Sequence, residues 1–302
     1  MTPTVPFTYV LNVVAAHKEG AEAAARLRAV LAQTGGVGEI DWLSPFHAFD
    51  IPFESNPHAA LNEARALAQR FPLDVNVLPA DRRRKKLLIA DMDSTIINCE
   101  CIDELADVAG IKSKVSAITE RAMRGELDFA GALRERVAML RGLSLSALQR
   151  VYAERIRLNP GAKTLVATMR RHGAYTLLVS GGFSYFTSRV ARDAGFHSEQ
   201  ANDLIDDGAS LTGLVVEPIL GREAKLMALE TGAANLRVGV EDALAVGDGA
   251  NDLAMIQRAG LGVAYHAKPI VAAAAAASIT HGDLTALLYL QGYRDAEIVR
   301  VD

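Results

Sequence analysis

Cysteine is scarce in this sequence, which holds only Cys99 and Cys101 among its 302 residues. Two cysteines separated by a single residue are too few and too close together for a disulfide framework. No second cysteine pair is present to complete a zinc site. We therefore interpret both cysteines as small buried hydrophobic residues.

Long hydrophobic runs and a strong excess of one charge are also missing. The longest apolar run, PIVAAAAAASI at 269–279, is far short of the roughly 20 residues that cross a bilayer. A net charge of −4 gives no general affinity for nucleic acid or anionic membranes. We interpret the basic run DRRRKK at 81–86 as a solvated linker, and the amino terminus lacks the pattern of a signal peptide. We expect a soluble cytoplasmic protein with neither a nucleic-acid nor a membrane partner.

Residues 1–80 have the pattern of a small separate domain. Two helical stretches lie among four strand-like stretches in the order βαββαβ. The strands are expected in FTYVLNVVAA, VGEIDWL, HAFDIPFE and LDVNVLP, and the helices in EGAEAAARLRAVLAQTG and NPHAALNEARALAQRF. This order is that of a ferredoxin-like α+β domain. Because no cluster of titratable groups here looks catalytic, we expect this domain to bind a ligand, regulate or dimerise.

The remainder of the chain, residues 81–302, alternates short apolar runs with helical stretches. These runs are KLLIAD, AYTLLVS, DALAVGD and GLGVAYH. Strands that are apolar on both faces and alternate with helices indicate an α/β fold with a Rossmann-like parallel sheet covered on each side. At about 98–158, several helical segments follow one another without a strand, which predicts a helical insertion.

Polar residues follow three of the predicted parallel strands. Asp91 and Asp93 end the first, Ser180 and two glycines end the second, and GDGAND at 247–252 ends a later one. Any one of these stretches could be a simple turn, because Asp, Ser, Gly and Asn favour turns. Ligands of open parallel sheets bind beyond the carboxyl ends of the strands, so three such stretches at one edge predict a functional site.

Carboxylates at this edge predict a magnesium site that works on phosphate. Asp91 and Asp248, together with a backbone carbonyl, are hard oxygen ligands that suit Mg²⁺. Asp91 and Asp93 project to the same side of a strand, so one can act as a nucleophile while the other donates a proton. Competing motifs are weak: there is neither a P-loop sequence nor a G-x-S-x-G elbow.

Four motifs together resemble a known superfamily. DMDSTI, VSGGF, the Lys of GREAK and GDGAND, in this order, are similar to the motifs of the haloacid dehalogenase (HAD) superfamily of phosphotransferases. Three longer stretches resemble its phosphoserine phosphatase family: DMDSTIINCECIDELA, LDFAGALRERVAMLRG and AVGDGANDLAMIQRAGLGVAYHAKP. The resemblance covers about residues 86–290 and implies a HAD core with a helical cap.

The resemblance implies a role for each matching residue. Asp91 would be the nucleophile and Asp93 the general acid and base, with Mg²⁺ held by Asp91, the main-chain carbonyl of Asp93, and Asp248. The remaining implied roles are phosphate binding by Ser180 and the Gly181 amide, neutralisation of charge by Lys225, a contact to the phosphoryl site by Asn251, and support of that site by Asp252.

The family also implies how the substrate would be recognised. Glu100 would face the ammonium group of O-phospho-L-serine, and Arg136 would bind its carboxylate with a bidentate fork. Taken without the resemblance, Glu100 would be an ordinary exposed acid, and Arg136 would lie on the solvated side of a cap helix. Phe129 is core packing or, as in the family, an aromatic ring that closes over the substrate. The implied reaction yields L-serine and phosphate, the last step of L-serine biosynthesis.

Three alternatives to this activity stay open. The phosphoryl group could pass to another alcohol such as homoserine, or the substrate could be another small phosphomonoester. In a different class, the protein could be an amino-acid sensor with an inactive phosphatase domain, although Asp91, Asp93, Lys225 and Asp248 are all present. By topology and position the N-terminal domain resembles the ACT-like regulatory domains of the family, which implies L-serine or another amino acid as effector. Domains with this βαββαβ order often pair through their sheets, so we expect a homodimer.

Overall fold

The computed structural model describes residues 7–15, 20–33, 35–54, 56–68, 71–123 and 126–301. Within these ranges, no helix is both long and apolar enough to cross a membrane.

Strands and helices alternate along most of the described chain. The strands are β1 Tyr9–Ala15, β2 Asp41–Ser44, β3 Ala48–Phe53, β4 Leu73–Pro79, β5 Leu87–Ala90, β6 Tyr175–Phe183, β7 Ser198–Asn202, β8 Leu204–Asp206, β9 Leu211–Val215, β10 Ala243–Gly247, β11 Leu261–Tyr265 and β12 Ala277–Ile279. The helices are α1 Gly20–Leu31, α2 Pro57–Ala68, α3 Cys101–Val108, α4 Lys112–Met123, α5 Phe129–Ala138, α6 Leu145–Glu154, α7 Ala162–Arg171, α8 Ser184–Ala194, α9 Arg222–Leu236, α10 Leu253–Arg258, α11 Pro269–Ala274 and α12 Ala286–Leu290.

The N-terminal elements form an antiparallel sheet with strand order β2-β3-β1-β4. Successive residues of a strand point to opposite faces, and β1 is mostly apolar on both, with Asn12 between Val10 and Val14 on one of them. Leu11 and Val13 pack with Leu27 and other residues of α1 and α2. Val10 and Val14 instead join the hydrophobic core of the rest of the chain. The sheet is therefore buried on both faces, between its own helices and the second part of the protein.

The second part is built on a parallel sheet with the order β12-β11-β10-β5-β6-β7. All of its described strand pairs are parallel. Its central strands are buried along their whole length, as residues 87–90 and 243–247 show. The α/β fold with a parallel sheet, predicted from continuously apolar runs, is confirmed.

Strands at both edges of this sheet were not predicted. At one edge, β7 has the sequence SEQAN and only its last residue is buried. At the other edge, β12 has three residues and follows an alanine run. Neither has the long apolar run by which the central strands are recognised. The short antiparallel hairpin β8–β9 was also missed.

Five helices, α3 to α7, lie between β5 and β6, and the first four of them, α3 to α6, form the insertion. An isolated antiparallel bridge joins Ile97 to Leu158, so the chain leaves the sheet and returns to it at neighbouring points. Leu133, Val137 and Leu140 are buried in the main hydrophobic core. The four-residue spacing of Leu133 and Val137, both in α5, is typical of the buried face of a helix.

The basic run at 81–86 is not a solvated linker throughout, so that interpretation is wrong. The Arg83 side chain is 11% exposed and pairs with Asp50 of β3. It also donates to the carbonyl oxygens of Leu290 (2.9 Å) and Tyr289 (2.9 Å). Lys85 is buried too, and donates to the carbonyl oxygens of two residues. The run therefore joins the N-terminal sheet to the parallel-sheet part.

A second set of contacts joins β4 to the edge strand β12. Asn76 exchanges two hydrogen bonds with the backbone of Ser278, with lengths of 3.1 and 2.8 Å. Asp74 accepts hydrogen bonds from the backbone N–H groups of residues 280–282. Polar side chains of β4 thus pair with main-chain groups at this edge of the parallel sheet.

Candidate active site

The predicted site residues lie at the carboxyl ends of three adjacent strands. In the sheet order, β5 lies between β10 and β6. Asp91 follows β5, Ser180 lies near the end of β6, and Asp248 follows β10. Because parallel strands end at the same edge, the three side chains meet there.

A buried lysine connects two of the carboxylates. Lys225 of α9 is 1% exposed, and its ammonium group donates to Asp91 and, at 2.6 Å, to Asp252. Burial alone would lower the pKa of Lys225, but the two carboxylates raise it above its usual range. Lys225 is therefore a permanent cation that offsets part of the negative charge of the site.

Three carboxylates form a cluster that could hold a metal ion. Asp91, Asp248 and Asp252 offer oxygen atoms that all lie within 4.8 Å of one another. Asp252 uses one oxygen for Lys225 and the other for the N–H of Gly249 (3.0 Å). Asp91 and Asp248 are therefore the better candidates for ligands.

The electrostatics of these carboxylates fit a divalent cation. Burial, reinforced by Asp252 and Glu100, raises the pKa of Asp248 to about 6. Burial and Asp252 also raise the pKa of Asp91, although Lys225 opposes the change. A hard cation would relieve the repulsion between such carboxylates, and oxygen ligands are those that Mg²⁺ prefers.

Asp93 lies beside this cluster and is held by two donors. Its Oδ1 accepts the N–H of Cys101 at 3.0 Å, and its Oδ2 accepts the Ser180 hydroxyl at 3.3 Å. Burial and the nearby Glu100 raise the pKa of Asp93 to about 6. A carboxyl group with such a pKa can both donate and accept a proton near neutral pH.

The two cysteines next to Asp93 are free, as expected. Burial raises the pKa of Cys99 to about 12, and it also raises that of Cys101. Both therefore remain thiols.

The chain turns sharply after Asp93, and the turn brings Glu100 to the site. Ser94 has a φ of 58°, a left-handed conformation that is uncommon for residues other than glycine. Its hydroxyl donates to Glu100 Oε1 at 2.7 Å. Glu100 immediately precedes α3 and is exposed. Its carboxylate is thus available to a cationic group of a ligand.

Arg136 and Phe129, both on α5, face the same site. Arg136 donates to the carbonyl oxygen of Ala132 at 3.2 Å. Burial lowers the pKa of Arg136, while the negative charges of Asp103, Glu100 and Asp93 oppose the change. The guanidinium group therefore lies within the field of the site's carboxylates.

The ring of Phe129 packs against two glycines, Gly181 in β6 and Gly221 immediately before α9. A Cβ atom on Gly181 would lie 2.8 Å from Phe129 Cζ, and one on Gly221 would lie 3.2 Å from Phe129 Cδ1. A side chain at either position would therefore press on the ring. Gly182 is crowded in a similar way, since a Cβ there would lie 3.0 Å from Asp93 Oδ2.

Asn251 lies in the short turn between Asp248 and Asp252 and is half-buried. Its side-chain oxygen lies against Gly249. All the residues that the sequence marks as a site are therefore found around one edge of the sheet, from the Asp91 cluster to α5.

Sequence reasoning missed other polar residues at this edge. Thr95 is fully buried, and its hydroxyl lies 3.4 Å from Asp248 Oδ1. Ser94 holds Glu100, and Asn202 of β7 bonds to the loops that carry Gly181 and Leu220. Thr95 belongs to the D-x-D-x-T motif and could have been found from it. Asn202 lies in a polar stretch that gives no signal.

Comparison with known proteins identifies the class. Residues 88–257 match the haloacid dehalogenase-like hydrolase family. The matched segment begins in β5 and ends in α10, so it includes Asp91, Ser180, Lys225 and Asp248. The chain belongs to this family of hydrolases.

Named relatives define the group within the family. A phosphoserine phosphatase from Polaromonas sp. is 47% identical over 226 residues, which cover 72% of this chain and 95% of that protein. The crystal structure of a probable phosphoserine phosphatase from Vibrio cholerae, in unliganded form, matches this structure with a TM-score of 0.78 at 29% sequence identity. The match covers 96% of this chain and 88% of the Vibrio cholerae chain. The structure of a phospho-aspartyl intermediate analogue of phosphoserine phosphatase matches with a TM-score of 0.62 at 39% sequence identity. This match covers 68% of this chain and 98% of that one. By sequence, the chain groups with the phosphoserine phosphatases.

Proposed function

We propose that the protein is a Mg²⁺-dependent phosphoserine phosphatase, which hydrolyses O-phospho-L-serine to L-serine and phosphate. The observation that carries this proposal is the buried Asp91, in contact with Lys225 and clustered with Asp248. The similarity to phosphoserine phosphatases supports the substrate. A cytoplasmic role in the last step of L-serine biosynthesis belongs to the same proposal.

In the first step, a carboxylate oxygen of Asp91 attacks phosphorus. The bond between phosphorus and the seryl oxygen breaks, and Asp93 gives its proton to that oxygen. An aspartyl-phosphate and free L-serine result. A pKa of about 6 for Asp93 supports this role, because about a tenth of the group is then protonated at pH 7, far more than at the usual pKa of a carboxyl group.

In the second step, water attacks the aspartyl-phosphate. Asp93, now a carboxylate, takes a proton from the water while the new oxygen–phosphorus bond forms. The bond to Asp91 breaks, which releases phosphate and restores the enzyme. The phospho-aspartyl analogue solved for a relative supports an intermediate of this kind.

Other groups would hold the phosphate without reacting. Ser180, the Gly181 amide, Asn251 and Lys225 would neutralise and orient its oxygens, which is the main task in phosphoryl transfer. Asp91, Asp248 and the main-chain carbonyl of Asp93 would hold Mg²⁺, with Asp252 behind them. When bound, the ion supplies positive charge next to the transferred group.

Glu100 and Arg136 would select the amino acid. The exposed carboxylate of Glu100 suits the ammonium group, and the guanidinium of Arg136 suits the carboxylate. Phe129 would cover the substrate, since its ring already lies over Gly181. We propose α3 to α6, at about 98–158, as the cap that excludes bulk water during the reaction.

For the N-terminal part we propose a separate ferredoxin-like domain at 1–80, followed by the phosphatase domain at 81–302. The order βαββαβ and the strand order β2-β3-β1-β4 support it. We further propose an ACT-like role with L-serine or another amino acid as effector, and a homodimer. Titration calorimetry of L-serine into the full chain tests the effector, and sedimentation tests the dimer.

Phosphate release tests the proposed activity directly. We expect the purified protein with Mg²⁺ to act on phosphoserine in preference to phosphothreonine, sugar phosphates and nucleotides. Equal rates across this panel would refute the substrate. Formation of phosphohomoserine when homoserine is added would show that the acceptor is not water.

Asp91→Asn tests the mechanism, with Asp207→Asn as control. Asp207 is exposed in the β8–β9 turn. We expect Asp91→Asn to abolish turnover while its circular dichroism stays unchanged, and Asp207→Asn to keep full activity. Near-normal turnover in Asp91→Asn would refute nucleophilic attack by this carboxylate.

A further inference from the structure

We propose that Asn202 is a positioning residue that fixes the phosphate-binding segment Ser180–Gly182 and the start of α9 in one arrangement. The inference rests on the proposed function, because it assumes that this segment and Lys225 bind the phosphoryl group. Asn202 itself is not proposed to touch the substrate.

The segment Ser180–Gly182 is a bulge in β6. Val179 pairs with Gln200, and Phe183 pairs with Asn202. Three residues of β6 therefore lie opposite a single residue of β7. Bulges of this kind redirect side chains and are frequent next to active sites. Asn202 lies at the pair where regular pairing resumes, so its side chain is next to the bulge.

The Asn202 side chain is buried and bonds only to the main chain in the described contacts. It is 2% exposed. Its Nδ2 donates to the carbonyl oxygens of Gly181 (3.0 Å) and Leu220 (3.1 Å), and its Oδ1 accepts the N–H of Leu220 (2.7 Å). Both amide hydrogens and the amide oxygen are thus used, and they connect the bulge of β6 to the loop before α9.

The first connection fixes the peptide unit between Gly181 and Gly182. Its carbonyl oxygen is held by Asn202, and its N–H donates to Ser180 Oγ at 2.9 Å. With both ends held, this peptide cannot rotate without breaking a hydrogen bond. The Gly181 N–H belongs to the preceding peptide unit. Because glycine has little conformational preference of its own, the orientation of this N–H depends on the hydrogen bond that holds the Gly181 carbonyl.

The second connection fixes the loop that leads into α9. Leu220 is bonded through both its N–H and its carbonyl oxygen. The next residue, Gly221, contacts Phe129, and α9 begins at Arg222 with Lys225 in its first turn. One side chain thus anchors both the residue that carries the Gly181 N–H and the loop that leads to Lys225, two groups that are proposed to bind the same phosphate.

A purely structural role would be the alternative, since any buried hydrogen-bonded Asn stabilises a fold. Asn76 provides a matched control. It is 1% exposed and exchanges two hydrogen bonds with the backbone of Ser278 in the edge strand β12, four strands from β6 in the sheet order. A stabilising role predicts similar behaviour of the two residues, whereas a positioning role predicts a difference in turnover only for Asn202.

The test uses Asn202→Asp and Asn202→Leu beside Asn76→Asp and Asn76→Leu. The Asp variants retain an acceptor and lose both donated hydrogens, and the Leu variants lose all hydrogen bonds at similar volume. For each protein, kcat and KM for phosphoserine, the Kd of orthovanadate in Mg²⁺, and the urea midpoint would be measured. Orthovanadate probes the phosphoryl site without requiring turnover.

We expect kcat of both Asn202 variants to fall by about 10- to 100-fold, as for other small displacements of transition-state donors. KM should change less than kcat, and the affinity for orthovanadate should fall by about tenfold or more. The Asn76 variants should lose stability but keep the kcat and vanadate affinity of the wild type.

The inference would be overturned if both folded Asn202 variants kept kcat and vanadate affinity within about twofold of the wild type, because misplaced hydrogen-bond donors lower the rate far more than this. Equal losses in the Asn76 variants would overturn it as well. If the wild type fails to hydrolyse phosphoserine, the proposed substrate is wrong. The vanadate comparison then still decides the role of Asn202.

Discussion

Arg83 allows a quantitative test of the contact between the N-terminal sheet and the parallel-sheet part of the protein. Its guanidinium group donates to Asp50, to the Leu290 carbonyl and to the Tyr289 carbonyl. The two paired side chains are 11% and 5% exposed. We therefore choose Arg83→Met, which keeps most of the apolar stem of the side chain and removes the charge.

The expected loss of stability is large because the remaining carboxylate stays buried. Breaking a buried ion pair by removing one partner costs about 3–5 kcal/mol. Asp50 would keep its hydrogen bond from Asn12, at 2.7 Å, but no longer a cation at this contact. Adding Asp50→Asn removes the stranded charge, so the double variant should be more stable than Arg83→Met alone.

Urea unfolding followed by two signals measures the effect. Tryptophan fluorescence reports on Trp42, the only tryptophan of the chain, which lies in β2 of the N-terminal sheet. Circular dichroism reports on the whole chain. We expect Arg83→Met to lower the unfolding free energy by about 3–5 kcal/mol in the transition that fluorescence detects.

Arg294→Met is the matched control, because Arg294 joins the same two parts through an exposed pair. It contacts Asp41 at 2.7 Å, and the two side chains are 51% and 46% exposed. Such pairs are worth about 0–1 kcal/mol. Equal and small losses in both variants would show that the Arg83 contact is not a buried ion pair in solution, and would refute the reasoning.

Three further predictions concern the site. Gly181→Ala places a Cβ 2.8 Å from Phe129 Cζ, so kcat/KM should fall about tenfold or more. Adding Phe129→Leu should restore part of the lost kcat/KM. If it restores none, the clash with Phe129 is not the cause. Lys225→Met leaves Asp91 and Asp252 buried without their cation, so kcat should fall by about 10²- to 10³-fold, and a kcat near that of wild type would contradict its proposed role. Removal of metal with EDTA should abolish phosphate release, which Mg²⁺ should restore with unchanged circular dichroism, while full activity in EDTA would exclude a metal requirement.

The central strands and the acidic motifs could be predicted because strong local signals mark them. Strands buried on both faces are apolar throughout, as residues 87–90 and 243–247 are. Asp91 and Asp248 follow such strands directly, so their meeting at one edge follows from the parallel order of the sheet. The geometry then brings Lys225 to Asp91, as the family resemblance implies.

Other features could not be predicted because they depend on distant parts of the chain. Arg83 lies in a charged run that is normally solvated, and only the approach of Asp50 and α12 buries it. The edge strand β7 is mostly polar, so it lacks the apolar pattern of a strand. Asn202 has a role only through the bulge of β6 and the loop at Leu220.

The contacts of Asn76 and Asp74 bear on any attempt to shorten the protein. An uncovered outer strand offers free N–H and C=O groups to other chains and promotes aggregation. In this protein, side chains of β4 bond to Ser278 and to the turn after it, so this edge of the sheet is covered. A fragment that starts after residue 80 would lose that cover, and light scattering should detect its self-association where the intact protein stays dispersed. The N-terminal sheet thus covers an edge of the parallel sheet, whether or not it also regulates the protein.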